Sequence, residues 1–241
     1  MANLTQHSLT TDLLRAYCEV ALTNANELVQ EASLLYANGH RARAYFLAIA
    51  AIEETGKGLL AFDAQGRNIA DSAVSTRLRR AMEDHSLKIA AAFMGWLRAS
   101  PNVRDQIMPA VDLIIHLKRG REPSMYTNIH PDGLTIQVPS EMVRDAAARD
   151  CVRLSTDCLA HARKHVAEKV PERRTRAEDQ LFAMKTGEFQ KIANTEDFWW
   201  YYIAQLESGR KDFSEAVVQY RTEYFLKGRQ FERQSSASND T

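Results

Sequence analysis

Two adjacent glutamates interrupt the most apolar stretch of the chain and are the first candidates for chemistry. Glu53 and Glu54 precede Gly56 and Lys57 in a segment that reads RARAYFLAIAAIEETGKGLLAFDAQ. Carboxylates are seldom fully buried unless they are paired. Glu53 and Lys57 have the i,i+4 spacing of a helical ion pair, and Gly56 permits a neighbouring helix to approach closely. The segment therefore predicts either a structural ion pair or a polar constellation in the core or groove of a helical bundle.

The second candidate is the segment from Arg79 to Lys88, which reads RRAMEDHSLK. His85 continues a stripe of apolar residues at helical spacing, so we expect it to face inward, with Lys88 one turn further on near the same edge. A single inward histidine is more often a satisfied core residue than a catalyst. If Glu53 or Glu54 contacts His85, however, the carboxylate would orient the imidazole for proton transfer.

The third candidate is the polar segment 118–126, which reads KRGREPSMY. Arg119 and Arg121 lie in a run of three cations within four residues, close to the aromatic side chain of Tyr126. Guanidinium and ammonium groups at this density can bind phosphate. A solvated start of a loop is the alternative, and the sequence leaves both interpretations open.

These segments are expected to lie on the helices of a bundle and on one long loop. Apolar residues three and four positions apart predict helices over 10–39, 41–65, 72–98, 103–118 and 141–170. The second helix is apolar nearly all round, which is typical of a buried central helix. A loop of about 20 residues, 119–139, separates the last two helices and contains a β-like stretch at 134–138. Loops of that length are usually functional or disordered.

The chain changes character after Pro171. Helices are predicted near 175–192, 196–207 and 211–231, and the composition of the last residues predicts a disordered tail. The aromatic residues 198–202 must be covered, and packing is the expected reason, with an interface or base stacking as alternatives. The predicted units are a bundle at 8–170, an extension at 172–233 and a tail at 234–241.

The composition is that of an ordinary globular protein without an excess of charge. Hydrophobic residues make up 45% and charged residues 26%, and 31 basic residues balance 31 acidic ones. Because nucleic-acid binders usually carry a basic excess, any contact with RNA requires a local basic patch. The amino terminus lacks the pattern of a signal peptide, and no apolar run approaches the roughly 20 residues of a membrane span. We expect a cytoplasmic protein that makes no contact with membranes.

The sequence offers no recognisable metal or cofactor site. Cys18, Cys151 and Cys158 lack the spacing of zinc ligands, and their odd number argues against a disulfide framework. A di-iron bundle needs Glu-x-x-His elements on facing helices, and neither Glu53 nor Glu54 has such a partner. We therefore expect no metal and no cofactor.

The three candidate segments, in this order, resemble those of AbiV-type proteins in the HEPN superfamily, the abortive-infection proteins of prokaryotic antiviral defence. Residues 44–57 resemble the Ala-rich EExGK helix of that family, and residues 84–88 resemble its HxxK segment. The segment Arg121–Tyr126, followed by Gly133 and Pro139, resembles the family's loop with an Arg-to-Tyr step and a downstream proline.

The resemblance covers residues 12–168. It implies an all-α, HEPN-like helical bundle with a long loop before its last helix, to which the chain adds a helical C-terminal extension. HEPN proteins are commonly dimeric, and many are metal-independent endoribonucleases built on an Arg followed, after four to six residues, by His. Arg79 or Arg80 with His85 fits that spacing. On an ideal helix Arg80 and His85 lie about 140° apart, so a kink or a dimer cleft is needed.

The resemblance further implies the roles of these residues. His85 acts as a general base or acid on the ribose 2′-OH and the leaving oxygen, and Arg79 or Arg80 holds the scissile phosphate. The predicted catalytic residues are His85, Arg80, Arg79, Glu53, Glu54, Lys57 and Lys88. The residues predicted to bind RNA or phosphate are Arg119, Arg121 and Tyr126.

The predicted function is that of an antiviral ribonuclease toxin that halts translation. RNA, either tRNA or mRNA, would be its substrate, and a second copy and a phage-encoded activator would be its partners. The alternative is a non-catalytic HEPN binding or sensor module that inhibits a host or phage target by contact. A third possibility is a helical interaction protein whose Glu-Lys-His network serves packing alone.

Overall fold

The computed structural model of the chain describes residues 9–99, 116, 117 and 119–231. It begins with two long helices, α1 (Thr11–Ala37) and α2 (Arg41–Ala64), which pack along one another. Thr10 begins α1, because its hydroxyl accepts a hydrogen bond from the N–H of Leu13. Gly39 ends it with a φ of +81°, a conformation that glycine adopts without strain.

The second helix is the centre of the bundle. It packs against α1, against α4 (His85–Ala99) and against α6 (Asp145–Glu168). Its apolar residues belong to two buried clusters, one shared with α4 and α6 and the other shared with α1, α3 and α6. The prediction of a buried central helix is therefore confirmed.

The helix predicted over 72–98 is two helices, α3 (Ser72–Glu83) and α4. Asp84, between them, has an extended backbone with φ −74° and ψ 114°. Its carboxylate accepts hydrogen bonds from the N–H groups of Ser86 and Leu87 at 2.8 and 3.0 Å. The prediction of one continuous helix over 72–98 was wrong, because this aspartate ends α3 and caps α4.

The long loop holds a small antiparallel hairpin. Its strands are β1 (Asn128–Ile129) and β2 (Ile136–Gln137), and Ile129 pairs with Ile136. The carboxylate of Asp132 closes the turn by accepting hydrogen bonds from the N–H groups of Leu134 and Thr135. The second strand lies within the β-like stretch predicted at 134–138.

Two predicted features before the loop are only partly described. The break between the helix predicted to end at residue 98 and the helix predicted to begin at residue 103 lies outside the described residues, except for residue 99, which is helical. So does the helix predicted over 103–118, except for residues 116 and 117, which are helical.

The last bundle helix, predicted over 141–170, is preceded by a short helix, α5 (Pro139–Met142), and runs as α6 only from Asp145 to Glu168.

The C-terminal extension has four helices among its described residues. These are α7 (Arg176–Ala183), α8 (Thr186–Ala193), α9 (Glu196–Glu207) and α10 (Phe213–Glu223), followed by a 3-10 turn at Phe225–Lys227. The prediction for 196–207 is confirmed. The predicted helix 175–192 was wrong in being continuous, and the one predicted over 211–231 was too long. The predicted tail 234–241 lies outside the described residues.

The aromatic residues of α9 build a separate core for the extension. Phe198 is fully buried, and Tyr201 contacts Tyr220 of α10. The expectation that this aromatic cluster is covered by packing is confirmed. The exposed ring of Trp199 is the exception, although its indole N–H donates to the carbonyl of Ala193 at 2.7 Å.

The extension contacts the bundle at the turn between α2 and α3. The buried carboxylate of Asp179 accepts hydrogen bonds from Arg67 Nη1 at 3.0 Å and from the N–H of Asn68 at 2.9 Å. Nearby, the N–H of Arg174 donates to the carbonyl of Gly66 at 2.8 Å. The extension therefore holds the turn that links the helix of Glu53 to the helix that leads to His85.

The all-α architecture expected from the sequence is confirmed. Among the described helices, none combines the length and the apolar character needed to cross a membrane.

Candidate functional site

Glu53 is the centre of a buried ionic cluster. Its Oε2 atom lies 2.7 Å from Nδ1 of His85 and 3.0 Å from Nζ of Lys88. Its Oε1 atom lies 3.1 Å from Nε of Arg121, at the start of the long loop. One carboxylate on α2 thus gathers basic side chains from α4 and from the loop.

The members of this cluster differ in their exposure. The side chains of Glu53 and Lys88 are 7% and 6% exposed, whereas that of His85 is 51% exposed. A buried carboxylate is costly unless other charges compensate for it, and Lys88 and Arg121 provide that compensation. These two cations leave one positive charge in excess over the Glu53 carboxylate even when His85 is neutral. The exposed edge of the cluster is therefore suited to an anion.

The imidazole of His85 is held in one tautomer. An ionised carboxylate only accepts hydrogen bonds, so Nδ1 of His85 donates to Glu53. The Lys88 ammonium, 3.3 Å from the same Nδ1, then donates to Glu53 and not to the ring. Within the described residues Nε2 of His85 has no hydrogen-bond partner. That nitrogen is available to exchange a proton with a bound molecule.

Arg121 contacts Glu53 through charge more than through a directed hydrogen bond. Although Arg121 Nε and Glu53 Oε1 are 3.1 Å apart, neither buried atom has a hydrogen-bond partner of acceptable geometry among the described residues. We interpret the contact as an ion pair, because at this distance the attraction of opposite charges does not depend on the direction of the N–H bond. The guanidinium also lies over the ring of Phe46, 5.5 Å from its centroid.

Two glycines allow the segments of the cluster to approach one another. A Cβ atom at Gly56 would overlap the backbone carbonyl of Lys88, so α4 can lie this close to α2 only if that position has no side chain. A Cβ atom at Gly120 would lie 2.7 Å from the hydroxyl oxygen of Tyr45. The close helix contact predicted at Gly56 is confirmed, and the lack of a side chain at Gly120 lets the segment before Arg121 lie against the ring of Tyr45.

Glu54 and Lys57 form a separate ion pair of i,i+3 spacing. The predicted pairing of Glu53 with Lys57 was wrong, because Glu53 faces α4 and Lys57 bonds its nearer neighbour. Glu54 does not contact His85, so of the two carboxylates only Glu53 can orient the imidazole. Burial alone would lower the pKa of Lys57, but the hydrogen bond and the charge of Glu54 outweigh it and raise that pKa.

A groove of about 510 Å³ reaches the cluster at Lys88, and its described lining does not include Glu53, His85 or Arg121. Lys57, Arg79 and Lys88 line it, together with the carboxylate of Glu83 and several apolar side chains. Arg79 is partly buried there, whereas Arg80 is exposed and does not line the groove. The break at Asp84 means that Arg79 and Arg80 do not lie on the same continuous helix as His85.

The remaining predicted residues are not part of the cluster. Arg119 and Tyr126 are exposed, and within the described part of the chain neither forms an ion pair or a side-chain hydrogen bond with Glu53 or its partners. Arg121, predicted to bind phosphate with them, instead pairs with Glu53. Sequence reasoning missed this contact because it joins positions 68 residues apart. The one sequence feature that could have predicted it is that a buried Glu53 needs further cationic partners.

No group of three or more His, Cys, Asp or Glu side chains among the described residues could hold a metal ion. All three cysteines, Cys18, Cys151 and Cys158, are buried as free thiols. Burial is the largest cause of the raised pKa of each, about 11 for Cys18 and about 12 for Cys158. These thiols therefore contribute to the core as small apolar groups.

The fold and the site together define a class: an all-α bundle in which a histidine at the start of a helix is held by a buried carboxylate of the central helix. A family model described as AbiV matches residues 13–160. The chain belongs to this AbiV family of HEPN-type abortive-infection proteins. Searches of curated proteins and of solved structures gave no match. The matched region contains the whole Glu53 cluster and ends before the C-terminal extension.

Proposed function

We propose that the chain is a cytoplasmic antiviral protein that halts translation as a metal-independent endoribonuclease acting on tRNA or mRNA. One observation carries this proposal. The buried carboxylate of Glu53 holds Nδ1 of a half-exposed His85 at 2.7 Å, which leaves Nε2 open beside an excess of positive charge.

The chemistry that this geometry supports is transfer of a phosphoryl group within the RNA. Nε2 of His85 removes the proton of a ribose 2′-OH, and the 2′-oxygen attacks the adjacent phosphorus. The bond from phosphorus to the 5′-oxygen of the next nucleotide breaks, which yields a 2′,3′-cyclic phosphate and a 5′-hydroxyl. The protonated imidazole, stabilised by Glu53, returns its proton to the leaving oxygen.

Charge on the phosphate is neutralised from the groove. Arg79 and Lys88 line it, and cations placed where negative charge develops stabilise the transition state. Arg79 is therefore our choice over Arg80 as the arginine of the Arg–His pair. We further propose, from the family, that the protein acts as a homodimer and that a phage-encoded protein activates it.

Cleavage of total RNA and of tRNA in the presence of EDTA tests the enzyme. His85→Asn retains an amide donor close to the position of Nδ1 but lacks Nε2, so it should fold while cleavage falls by roughly 10²- to 10⁴-fold. His130→Asn is the matched control, because His130 is also about half exposed and also faces a carboxylate, that of Asp132. Cleavage that persists in His85→Asn, or a wild-type protein inactive even with extract of phage-infected cells, would contradict the proposal.

The two arginines form a second matched pair. Arg79→Ala should reduce cleavage strongly, whereas Arg80→Ala should have a small effect because Arg80 is exposed and does not line the groove. Equal losses in the two variants would contradict the assignment of Arg79. Circular dichroism and thermal melting of both variants distinguish lost catalysis from lost folding.

The alternative function, inhibition of a host or phage target by contact, is favoured by the exposed apolar surface of the hairpin. Leu134, Ile129 and Ile136 are 89%, 74% and 67% exposed, and contiguous apolar surface often marks an interaction site. In that case Leu134→Ser with Ile136→Ser would abolish growth inhibition while His85→Asn would retain it. The ribonuclease proposal predicts the reverse.

A further inference from the structure

A second concave site lies on the other side of Arg121 from the ionic cluster. This cavity, of about 660 Å³, is formed between the start of α2 and the long loop with the residues that lead into α5. Its volume is in the range of pockets that hold small ligands, about 300–1,000 Å³. The function proposed above does not use it.

The charge of this cavity is of one sign. His40, Arg41 and Arg43 line it, and no carboxylate is among its described lining residues. Arg41 is partly neutralised by Asp145, which lies 2.7 Å from its Nε. Arg43 is exposed, and no ion pair or side-chain hydrogen bond within the described residues engages it. In a protein of zero net charge, this is a local basic patch of the kind that contact with RNA requires.

An aromatic ring and a thioether face the same cavity. Phe46 and Met125 line it, and Met125 is 48% exposed. The ring of Phe46 belongs to none of the buried clusters in the described part of the chain. Packing of the core therefore does not explain the position of this ring, which lies under the guanidinium of Arg121.

Arg121 connects this cavity to the ionic cluster. Its Nε lies 3.1 Å from Glu53 and its guanidinium carbon 5.5 Å from the centre of the Phe46 ring. A ligand with one end in the cavity can therefore continue toward His85 along the surface of α2. A flat base, which stacks on apolar and aromatic groups, joined to a phosphate, which pairs with arginine, is the ligand chemistry that combines these features.

We propose that this cavity binds one nucleotide of a single-stranded RNA, next to the strand segment that is cut at His85. The base packs against Phe46 and Met125, and the phosphate pairs with Arg43. The claim that the bound strand is also the substrate rests on the proposed ribonuclease function. Binding of RNA in the cavity does not itself require cleavage. The cavity thus selects unpaired RNA, because a base inside a duplex cannot stack on a protein side chain.

Binding is measured with the full chain carrying His85→Asn, so that RNA is not consumed. The probe is a fluorescently labelled eight-residue oligoadenylate, titrated at several salt concentrations, and adenosine 5′-monophosphate is tested by calorimetry. Arg43→Ser and Phe46→Leu are compared in this background. Arg153→Ser is the matched control, because Arg153 is an exposed arginine on α6 that does not line the cavity.

The two substitutions should separate the two contacts. Arg43→Ser should weaken oligonucleotide binding about fivefold and lower the slope of log affinity against log salt by about 0.7, the loss of one phosphate contact on a single strand. Phe46→Leu should weaken binding about fivefold or more through lost stacking, with the salt slope unchanged. Arg153→Ser should change neither quantity.

Several results would overturn this inference. Unchanged affinity in both Arg43→Ser and Phe46→Leu, with folding verified by thermal melting, would exclude the cavity. An equal loss in Arg153→Ser would show that binding is unspecific attraction to charge. Monophosphate bound more tightly than the oligonucleotide would assign the cavity to a free nucleotide and overturn its assignment to a strand. A failure of the ribonuclease proposal is seen separately, as absent cleavage by the protein with native His85.

Discussion

Glu53 and Glu54 are consecutive residues on one helix, yet their side chains lie in different environments. Glu53 is buried among His85, Lys88 and Arg121, which reach it from α4 and from the long loop. Glu54, about 100° further round the helix, bonds only Lys57 within the described residues, and both side chains of that pair are partly open to solvent.

The difference shows what allows a carboxylate of this helix to hold a third group in place. A solvent-screened pair such as Glu54 with Lys57 contributes little energy and holds no third group in place. A buried carboxylate must recruit several donors, and at Glu53 one of these donors is a half-exposed imidazole. The requirement for compensation of a buried charge thus also fixes the orientation of the group proposed to transfer the proton.

Removal of each carboxylate is the strongest test of this comparison. Glu53→Ala leaves Lys88 buried without a counter-ion, and loss of one partner of a buried pair costs about 3–5 kcal/mol. Glu54→Ala should cost at most about 1 kcal/mol, as for a pair near the surface. Urea denaturation, read by circular dichroism, measures both free energies of unfolding.

Glu53→Gln separates charge from shape in the same experiment. The amide keeps the volume of the side chain and one acceptor oxygen, so its cost should fall between those of Glu53→Ala and Glu54→Ala. Equal destabilisation by Glu53→Ala and Glu54→Ala would show that the cluster has no special energetic role.

The next effect concerns the approach of α4 to α2. Gly56→Ala places a methyl group on the backbone carbonyl of Lys88, which cannot rotate away, and overpacking of this kind costs about 1–3 kcal/mol or more. Gly58→Ala, on the same helix, meets the side chain of Leu22, which can adjust. Alanine also favours the helix over glycine by about 1 kcal/mol, so Gly58→Ala should be nearly neutral.

Thermal melting of the two glycine variants checks this difference. Gly56→Ala should also reduce the proposed RNA cleavage, because a shift of α4 moves His85 relative to Glu53, whereas Gly58→Ala should leave that activity unchanged. A Gly56→Ala variant as stable and as active as Gly58→Ala would contradict the close contact at Lys88.

Local patterns in the sequence predicted much of this arrangement. Apolar spacing identified the central helix, and the rarity of buried carboxylates singled out Glu53 and Glu54 without distinguishing between them. The same spacing predicted that His85 faces inward with Lys88 near the same edge. The break at Asp84 was missed because the apolar stripe continues across it, although an aspartate can cap a new helix from within such a stripe. The prediction that His85 faces inward was wrong in part, because its side chain is half exposed. The break at Asp84 explains this exposure, since it places His85 at the first position of α4.

Contacts between distant segments were beyond the reach of local patterns. The sequence placed Arg121 in a phosphate-binding loop, and only the tertiary fold shows that the loop returns to Glu53. The docking of Asp179 on Arg67 and Asn68 is of the same kind. In both cases the partner of a buried carboxylate is chosen by the packing of helices, which no periodicity encodes.

The smallest expected effect is a pH dependence at the screened pair. The pKa of Lys57 is raised above 10.5, because the hydrogen bond and charge of Glu54 outweigh the opposing effect of burial. A group with a higher pKa in the folded state than in the unfolded state stabilises the fold at pH values below 10.5, and this contribution is lost as the pH rises through the folded pKa.

The difference in unfolding free energy between wild type and Lys57→Met should therefore be constant, at less than about 1 kcal/mol, up to about pH 9 and then shrink toward pH 11.5. Urea titrations of both proteins across that range measure it, and ionisation of groups present in both proteins cancels in the difference. A difference that persists unchanged at pH 11.5 would mean that the ammonium of Lys57 contributes nothing and that its chain stabilises the fold by packing alone.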